Sequence, residues 1–211
     1  YVPTSARGAT AIVNINVTPV VTENQTINTI TLNKYTRLLG ADVNGINYPF
    51  VTINANNSYK TNGSFSFSNV YIKQGEAVTL QFPVVANNSS RRFQIPSANV
   101  DTETLTITVQ ESSTNNYTEE YVVSTDITEL SQNNRIYFVE ENEQLGYTVY
   151  FGDGIIGYSP RVGNIINVTH IDTVGAISNS ISKFAFTQKI AGNYSNNVKI
   201  TTVDASYGGT D

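Results

Sequence analysis

Alternation of apolar and polar residues, without long stripes at helical spacing, is the feature that most narrows what this chain can become. In "ATAIVNINV" the side chains of Ala11, Val13, Ile15 and Val17 fall on one side and Asn14 and Asn16 on the other. That is the signature of a strand with one buried face. The device recurs in "INTITLNKYTRLLG" (Ile30, Leu32, then Tyr35), "YPFVTINAN" (Phe50, Val51, Ile53), "NGSFSFSNVYI" (Phe65, Phe67, Tyr71) and "EAVTLQFPVV" (Val78, Leu80, Phe82). Pro83 cannot donate to a ladder, so it marks an edge strand or a strand end.

A second block repeats the pattern. "ETLTITVQES" aligns Leu105, Ile107 and Val109; "NRIYFVEE" and "GYTVYFGDG" offer Ile136, Phe138, Tyr147, Val149 and Phe151 as core positions; "NIINVTHID" reads as another strand. "SISKFAFTQKIAG" fits a strand or a short helix, and Asp126 with Glu129 in "DITELSQN" has the spacing of a capped helical turn. Short strands separated by turn residues at intervals of about 8–12 residues predict a mainly β fold, with antiparallel sheets in one or two sandwich- or barrel-like subdomains and little helix. The boundaries read as a first β subdomain over 1–98, a second over 99–172, and a return strand with an exit linker, "YGGTD", over 173–211.

Composition bounds the chemistry. The 211 residues include no Cys, which excludes disulfides, thiolate metal sites and cysteine nucleophiles, so stability must come from packed cores. There is no Met, and Tyr1 opens in mid-pattern, as expected for a piece of a longer polypeptide. No apolar run approaches the ~18 residues of a membrane span, and a soluble piece without a membrane partner is expected. Twelve Lys and Arg against 17 Asp and Glu leave a net charge of −5, with Arg91-Arg92 the one adjacent basic pair, so a nucleic-acid partner is not expected.

Reactive constellations are sparse. The single histidine, His170, lies in a strand pattern without a second His or a nucleophile elbow, and reads as a polar residue on the strand's wet face. The acidic runs "YTEEY" and "VEENE" suit solvated turns more than the facing carboxylates of a glycosidase. The Asn-x-Ser/Thr triplets at Asn24, Asn62, Asn116 and Asn167 are what chance produces in so Asn- and Thr-rich a chain. No enzymatic activity, cofactor, metal or small-molecule substrate is expected.

The most patterned stretch is "GYTVYFGDGIIGYSP", residues 146–160. Its glycines at Gly152 and Gly154 suit positive φ, Asp153 suits an Asx-type turn, and Phe151 and Ile155 are placed to anchor the turn in a core. A structural turn built from Phe151, Gly152, Asp153, Gly154 and Gly157 is the expectation, with a ligand loop as the alternative. Neither a phosphate-binding nor a calcium-loop pattern is present.

This element resembles the F-G-D/E-G-x-x-G motif of the J-type baseplate wedge proteins of contractile-tailed phages. The resemblance continues through Pro160, Gly163 and "NIINVTHID", and three further segments follow the family's order. "YVPTSARGATAIVNI" is similar to the entry into the first strand. "TLNKYTRLLGADVNGINYPFVTI" is similar to a strand pair, with Asn33-Lys34-Tyr35 where the family has Pro-x-Gly. "SYGGTD" is similar to a hinge. The resemblance is nearest to the central β-rich region of the large dimeric wedge subunit. It implies a structural component of the virion, located in the tail baseplate, assembled in the host cytoplasm and rearranged on tail contraction. The partners it implies are other wedge proteins and a second copy of itself. The alternative is a carbohydrate- or receptor-binding β-module of an adhesin or tail tip, which the abundant Asn, Thr and 13 Tyr also suit.

Overall fold

The computed structural model describes residues 5–19, 27–87, 91–124, 131–143, 146–187, 189–190 and 197–211. Asn24, Asp126 and Glu129 lie outside them. From the N-terminal side come β1 (Thr10–Val17), β2 (Thr29–Leu32), β3 (Arg37–Ala41), β4 (Asn47–Thr52), β5 (Asn56–Tyr59) and β6 (Phe65–Gln74). There follow β7 (Glu76–Pro83), β8 (Arg92–Ile95), β9 (Val100–Gln110), β10 (Thr118–Val123), β11 (Ile136–Glu141), β12 (Tyr147–Phe151) and β13 (Ile165–Asp172). A 3-10 turn at Gly175–Ser178, β14 (Lys183–Phe186) and β15 (Val198–Tyr207) complete the described elements. The fold is mainly β, its antiparallel sheets forming nearly closed, barrel-like subdomains.

The chain divides into two compact units, one of Arg7–Glu76 with Thr173–Asp211 and one of Tyr1–Ala6 with Ala77–Asp172. A division into 1–98, 99–172 and 173–211 cuts across both. Residues 173–211 belong with the first unit because β15 pairs along β1, from Thr10↔Tyr207 to Val17↔Val198. Residues 77–98 belong with the second because β7 lies beside β13 and β8 pairs with β12. The "YGGTD" tail is itself tied down: Arg7 and Thr210 exchange backbone hydrogen bonds of 2.8 and 3.1 Å.

In the first unit, a six-stranded sheet runs β14-β3-β4-β6-β1-β15, with β2 and β5 as a separate pair. Backbone bonds from Ser180 to Ser206 and from Ser206 to Ile181 draw the β14 end towards β15. The alternation of β1 holds: Ala11, Val13, Ile15 and Val17 are buried with Ile30, Leu32, Leu38, Phe50, Phe65 and Phe67. Removing a large side chain such as Phe50 from water contributes about 1.5–3 kcal/mol. The exposed Arg37–Glu76 ion pair, at 2.8 Å, belongs to a class worth ~1 kcal/mol or less. The core therefore dominates.

Three expected core positions of this unit differ. Tyr35 is in a turn at φ 65, its N–H donating to Thr52 O at 2.7 Å. Ile53 lies just past β4, only half-buried. Tyr71 is 45% exposed, whereas Val70 and Ile72 are buried. The cause is a bulge: Asn69 takes φ 51, its N–H donates to Asn14 Oδ1 at 2.8 Å, and the β1–β6 register shifts between Val13 and Ile15. One extra residue reverses the facing of everything beyond it.

The second unit is a seven-stranded sheet in the order β7-β13-β9-β10-β11-β12-β8. Pro83 ends β7, an edge strand. Strands β10 and β11 pair in parallel, Val122↔Ile136 and Val123↔Tyr137. Ile107, Val109, Tyr147, Val149 and Phe151 enter the core as their alternation indicates. On β11 Ile136 is buried as expected, but beyond it the facing differs: Tyr137 and Val139 join that core, and Phe138 stacks on Tyr150 with ring centroids 5.1 Å apart. "IYFV" is apolar at four successive positions, so it carries no alternation to set its phase.

Asn tolerates the left-handed region and a β-branched residue does not. Asn69→Val is expected to lower the urea midpoint by the equivalent of about 1–2 kcal/mol, while Asn69→Gly leaves it nearly unchanged. Equal effects of the two substitutions would show that the bulge does not depend on a positive φ.

Candidate functional site

The glycine element of the second unit leaves β12 at Phe151, whose ring is buried against Phe93 at 6.0 Å and Tyr121 at 5.4 Å, both edge to face. Asp153 then caps the turn. Its Oδ1 accepts N–H bonds from Ile155 at 2.8 Å and Ile156 at 3.0 Å, and Gly154 N–H donates to Gly157 O at 3.1 Å. These two backbone donors hold the fully exposed carboxyl below its ordinary range, because they favour the charged form.

The glycines act differently from one another. Gly154 and Gly157 occupy φ 89 and 79. Gly152 is not in that region; it is required because a Cβ there would lie 2.1 Å from Ile156 O and 2.5 Å from Gly157 O. Ile155 does not anchor the turn: it is 77% exposed, and Ile156 is 42% exposed. Both stand on the turn whose backbone N–H groups Asp153 holds.

Beyond the tip, the loop is sewn to the segment before β11. Gly157 N–H donates to Ser131 O at 3.1 Å and Tyr158 N–H to Asn134 O at 2.9 Å, while Asn134 Oδ1 accepts from both the N–H and the hydroxyl of Ser131. This places Tyr158 under Arg135, whose guanidinium carbon is 3.7 Å from the ring centroid. Arg161 approaches the same ring at 5.7 Å. Arg135 Nε donates to Glu119 Oε2 at 2.7 Å.

These residues, with Val109, Glu111, Tyr117, Tyr121 and Asn164, line a cleft of about 230 Å³. Tyr121 is 2% exposed, and its hydroxyl has no hydrogen-bond partner among the described residues. Burial raises its pKa well above the ordinary tyrosine value, so it stays protonated. Tyr137 differs: burial pushes it up to about 12, yet its hydroxyl donates to Leu105 O at 3.2 Å. The acidic run around Glu119 is thus part of a cleft wall rather than a solvated turn. Within that run Glu119 is half-buried, while Tyr117, Thr118 and Glu120 are exposed. In "VEENE", Glu140 pairs with Arg92.

His170 is not on a wet face. It is 1% exposed, in phase with the buried Ile166 and Val168 of β13, so the strand's own alternation carries it inward; the register shift between Thr169 and Ile171 turns Ile171 inward beside it. Its Nε2 lies 3.2 Å from Asp172 Oδ1, outside hydrogen-bonding geometry, and neither ring nitrogen has a hydrogen-bond partner among the described residues. Burial lowers its pKa more than Asp172 raises it.

Sequence reasoning located the turn and missed the cleft. Tyr121, Arg135, Tyr158 and Arg161 come from three separate segments joined by the parallel β10–β11 pair and the loop bonds, and no spacing announces them. One local signal was available, the Tyr158-x-Pro160-Arg161 run directly after the glycine element.

Two outcomes test the turn. Gly152→Ala forces backbone against backbone and is expected to cost about 2 kcal/mol or more by denaturant unfolding. For Asp153 the folded pKa lies below the unfolded one, so its stabilisation is present above the unfolded value of 3.8 and is lost as pH falls through the folded pKa. Asp153→Asn should flatten the acid limb of stability against pH; an unchanged limb would remove Asp153 from the turn's energetics. No protein-family model matches this chain, and no curated protein matches it in sequence.

Proposed function

We propose that this chain is a structural part of a phage tail baseplate wedge, holding neighbouring subunits together through protein–protein contacts. On this reading it sits in the tail baseplate of the virion, is assembled in the host cytoplasm, and takes part in the rearrangement that accompanies contraction. Its partners are other wedge proteins and a second copy of itself, and it carries out no turnover.

One observation supports the reading most directly. The glycine element, which also carries the strongest part of the family resemblance, holds two isoleucines outward, Ile155 at 77% and Ile156 at 42% exposure, on a turn closed by Asp153. Rigid apolar tips of this kind are costly to leave in water and gain by insertion into a neighbour, because little ordering entropy remains to be lost on binding. The sparse charge and abundant tyrosine suit the same role, since interfaces favour tyrosine over lysine and glutamate.

The test is co-assembly. Mixed with the other wedge proteins of the same tail, the protein should join a complex heavier than its own 23.1 kDa by size-exclusion chromatography with light scattering. Ile155→Asp should abolish that complex and change stability by less than about 0.5 kcal/mol, as exposed positions do. If the unmodified protein stays alone with every wedge subunit, the proposal fails.

A further inference from the structure

We propose that the cleft between Tyr117, Tyr121, Tyr158 and Arg161 binds one neutral pyranose ring of a saccharide. This site is independent of the assembly role, because it uses none of the tip residues.

Three features of the cleft select that class. Its volume, about 230 Å³, is below the roughly 300–1,000 Å³ of sites for drug-sized ligands, and suits a single ring. Its ionic groups cancel: Glu111 and Glu119 stand with Arg135 and Arg161, so a ligand of either charge meets its own sign as well as the opposite one. A hydroxyl donates and accepts, and matches carboxylate and guanidinium alike. Finally, the Tyr121 hydroxyl is buried without a partner, a state that a ligand oxygen relieves.

That hydroxyl lies among the cleft's wall residues. Arg135, Glu119 and Tyr158, the charged and aromatic groups that act on it electrostatically, are all cleft walls. Phe151 packs edge to face against the Tyr121 ring, with centroids 5.4 Å apart. Tyr117, 62% exposed, is placed at the rim where the apolar face of a sugar ring can lie against it. An apolar ligand would leave the Tyr121 hydroxyl unpaired and strip water from the carboxylates and guanidinium groups, so it is disfavoured.

The experiment is a titration of the isotope-labelled protein, followed by ¹H–¹⁵N spectra, with methyl α-D-glucopyranoside, methyl β-D-galactopyranoside and N-acetylglucosamine, and with acetate as the charged probe. Saturable shifts at Tyr121, Tyr158, Arg161 and the Arg135 Nε–H, at millimolar concentrations of at least one sugar, are the expected result. Tyr121→Phe removes only the hydroxyl and should weaken that binding at least about tenfold. Its stability should be equal or higher, since the lost group had no partner. Arg161→Ala, at an exposed position, provides a second loss of binding should Tyr121→Phe disturb the fold. Ile155→Asp should bind the sugar like the unmodified protein, so saccharide binding and assembly are read separately. The proposal is overturned if no neutral sugar gives saturable shifts, if acetate alone does, or if the shifts persist unchanged in both cleft variants.

Discussion

The first unit depends on β1 being hydrogen-bonded along both edges, to β6 on one side and to β15 on the other. An isolated amphipathic strand of eight residues has no stable structure in water, since each backbone N–H and C=O prefers water to no partner. Between two neighbours its polar backbone is paired and its four apolar side chains are delivered to one core. A slip of one residue would send Ala11, Val13, Ile15 and Val17 to the solvent side, so register and burial enforce each other. The Asn14–Asn69 bond marks the one place where the β1–β6 ladder steps, and it lets β6 bury residues on both sides of the step.

Much of this architecture is legible in the chain because period-two alternation is a direct imprint of a half-buried sheet. It fails where something other than alternation decides. The bulge at Asn69 is a single left-handed residue, and nothing in "SFSNVYI" distinguishes that asparagine from one in a regular strand. In β11 all four of Ile136 to Val139 are apolar, so burial alone cannot say which pair faces inward; pairing with β10 and β12 decides. His170 is the reverse case: it keeps the phase of Ile166 and Val168 and ends in the interior despite its polarity. The assignment of β15 to the first unit is a long-range pairing with no local sign.

The site divides in the same manner. The glycine element can be read locally because its contacts are local: Asp153 bonds its own successors, and Gly152 makes room for a carbonyl four residues on. Which glycine serves conformation and which serves proximity emerges only when the backbone closes. The cleft is the opposite case. Tyr121 lies on β10 and Arg135 just before β11, and these neighbouring strands run parallel, a pairing that needs a long connection rather than a short turn motif. Tyr158 arrives through hydrogen bonds to residues 131–134, which the sequence shows only as a polar run.

The interleaving of the two units has a temporal consequence. Strands β7 to β13 all lie between residues 76 and 172 and can pair as soon as that stretch has left the ribosome. The first unit cannot finish then, because the partner for the second edge of β1 is Val198–Tyr207, made after it. Closing so long a span costs little more entropy than closing half of it, so the delay is set by synthesis rather than by chain statistics. Until β15 emerges, β1 presents an open ladder able to accept a foreign strand, and that interval is when this polypeptide is most exposed to mispairing.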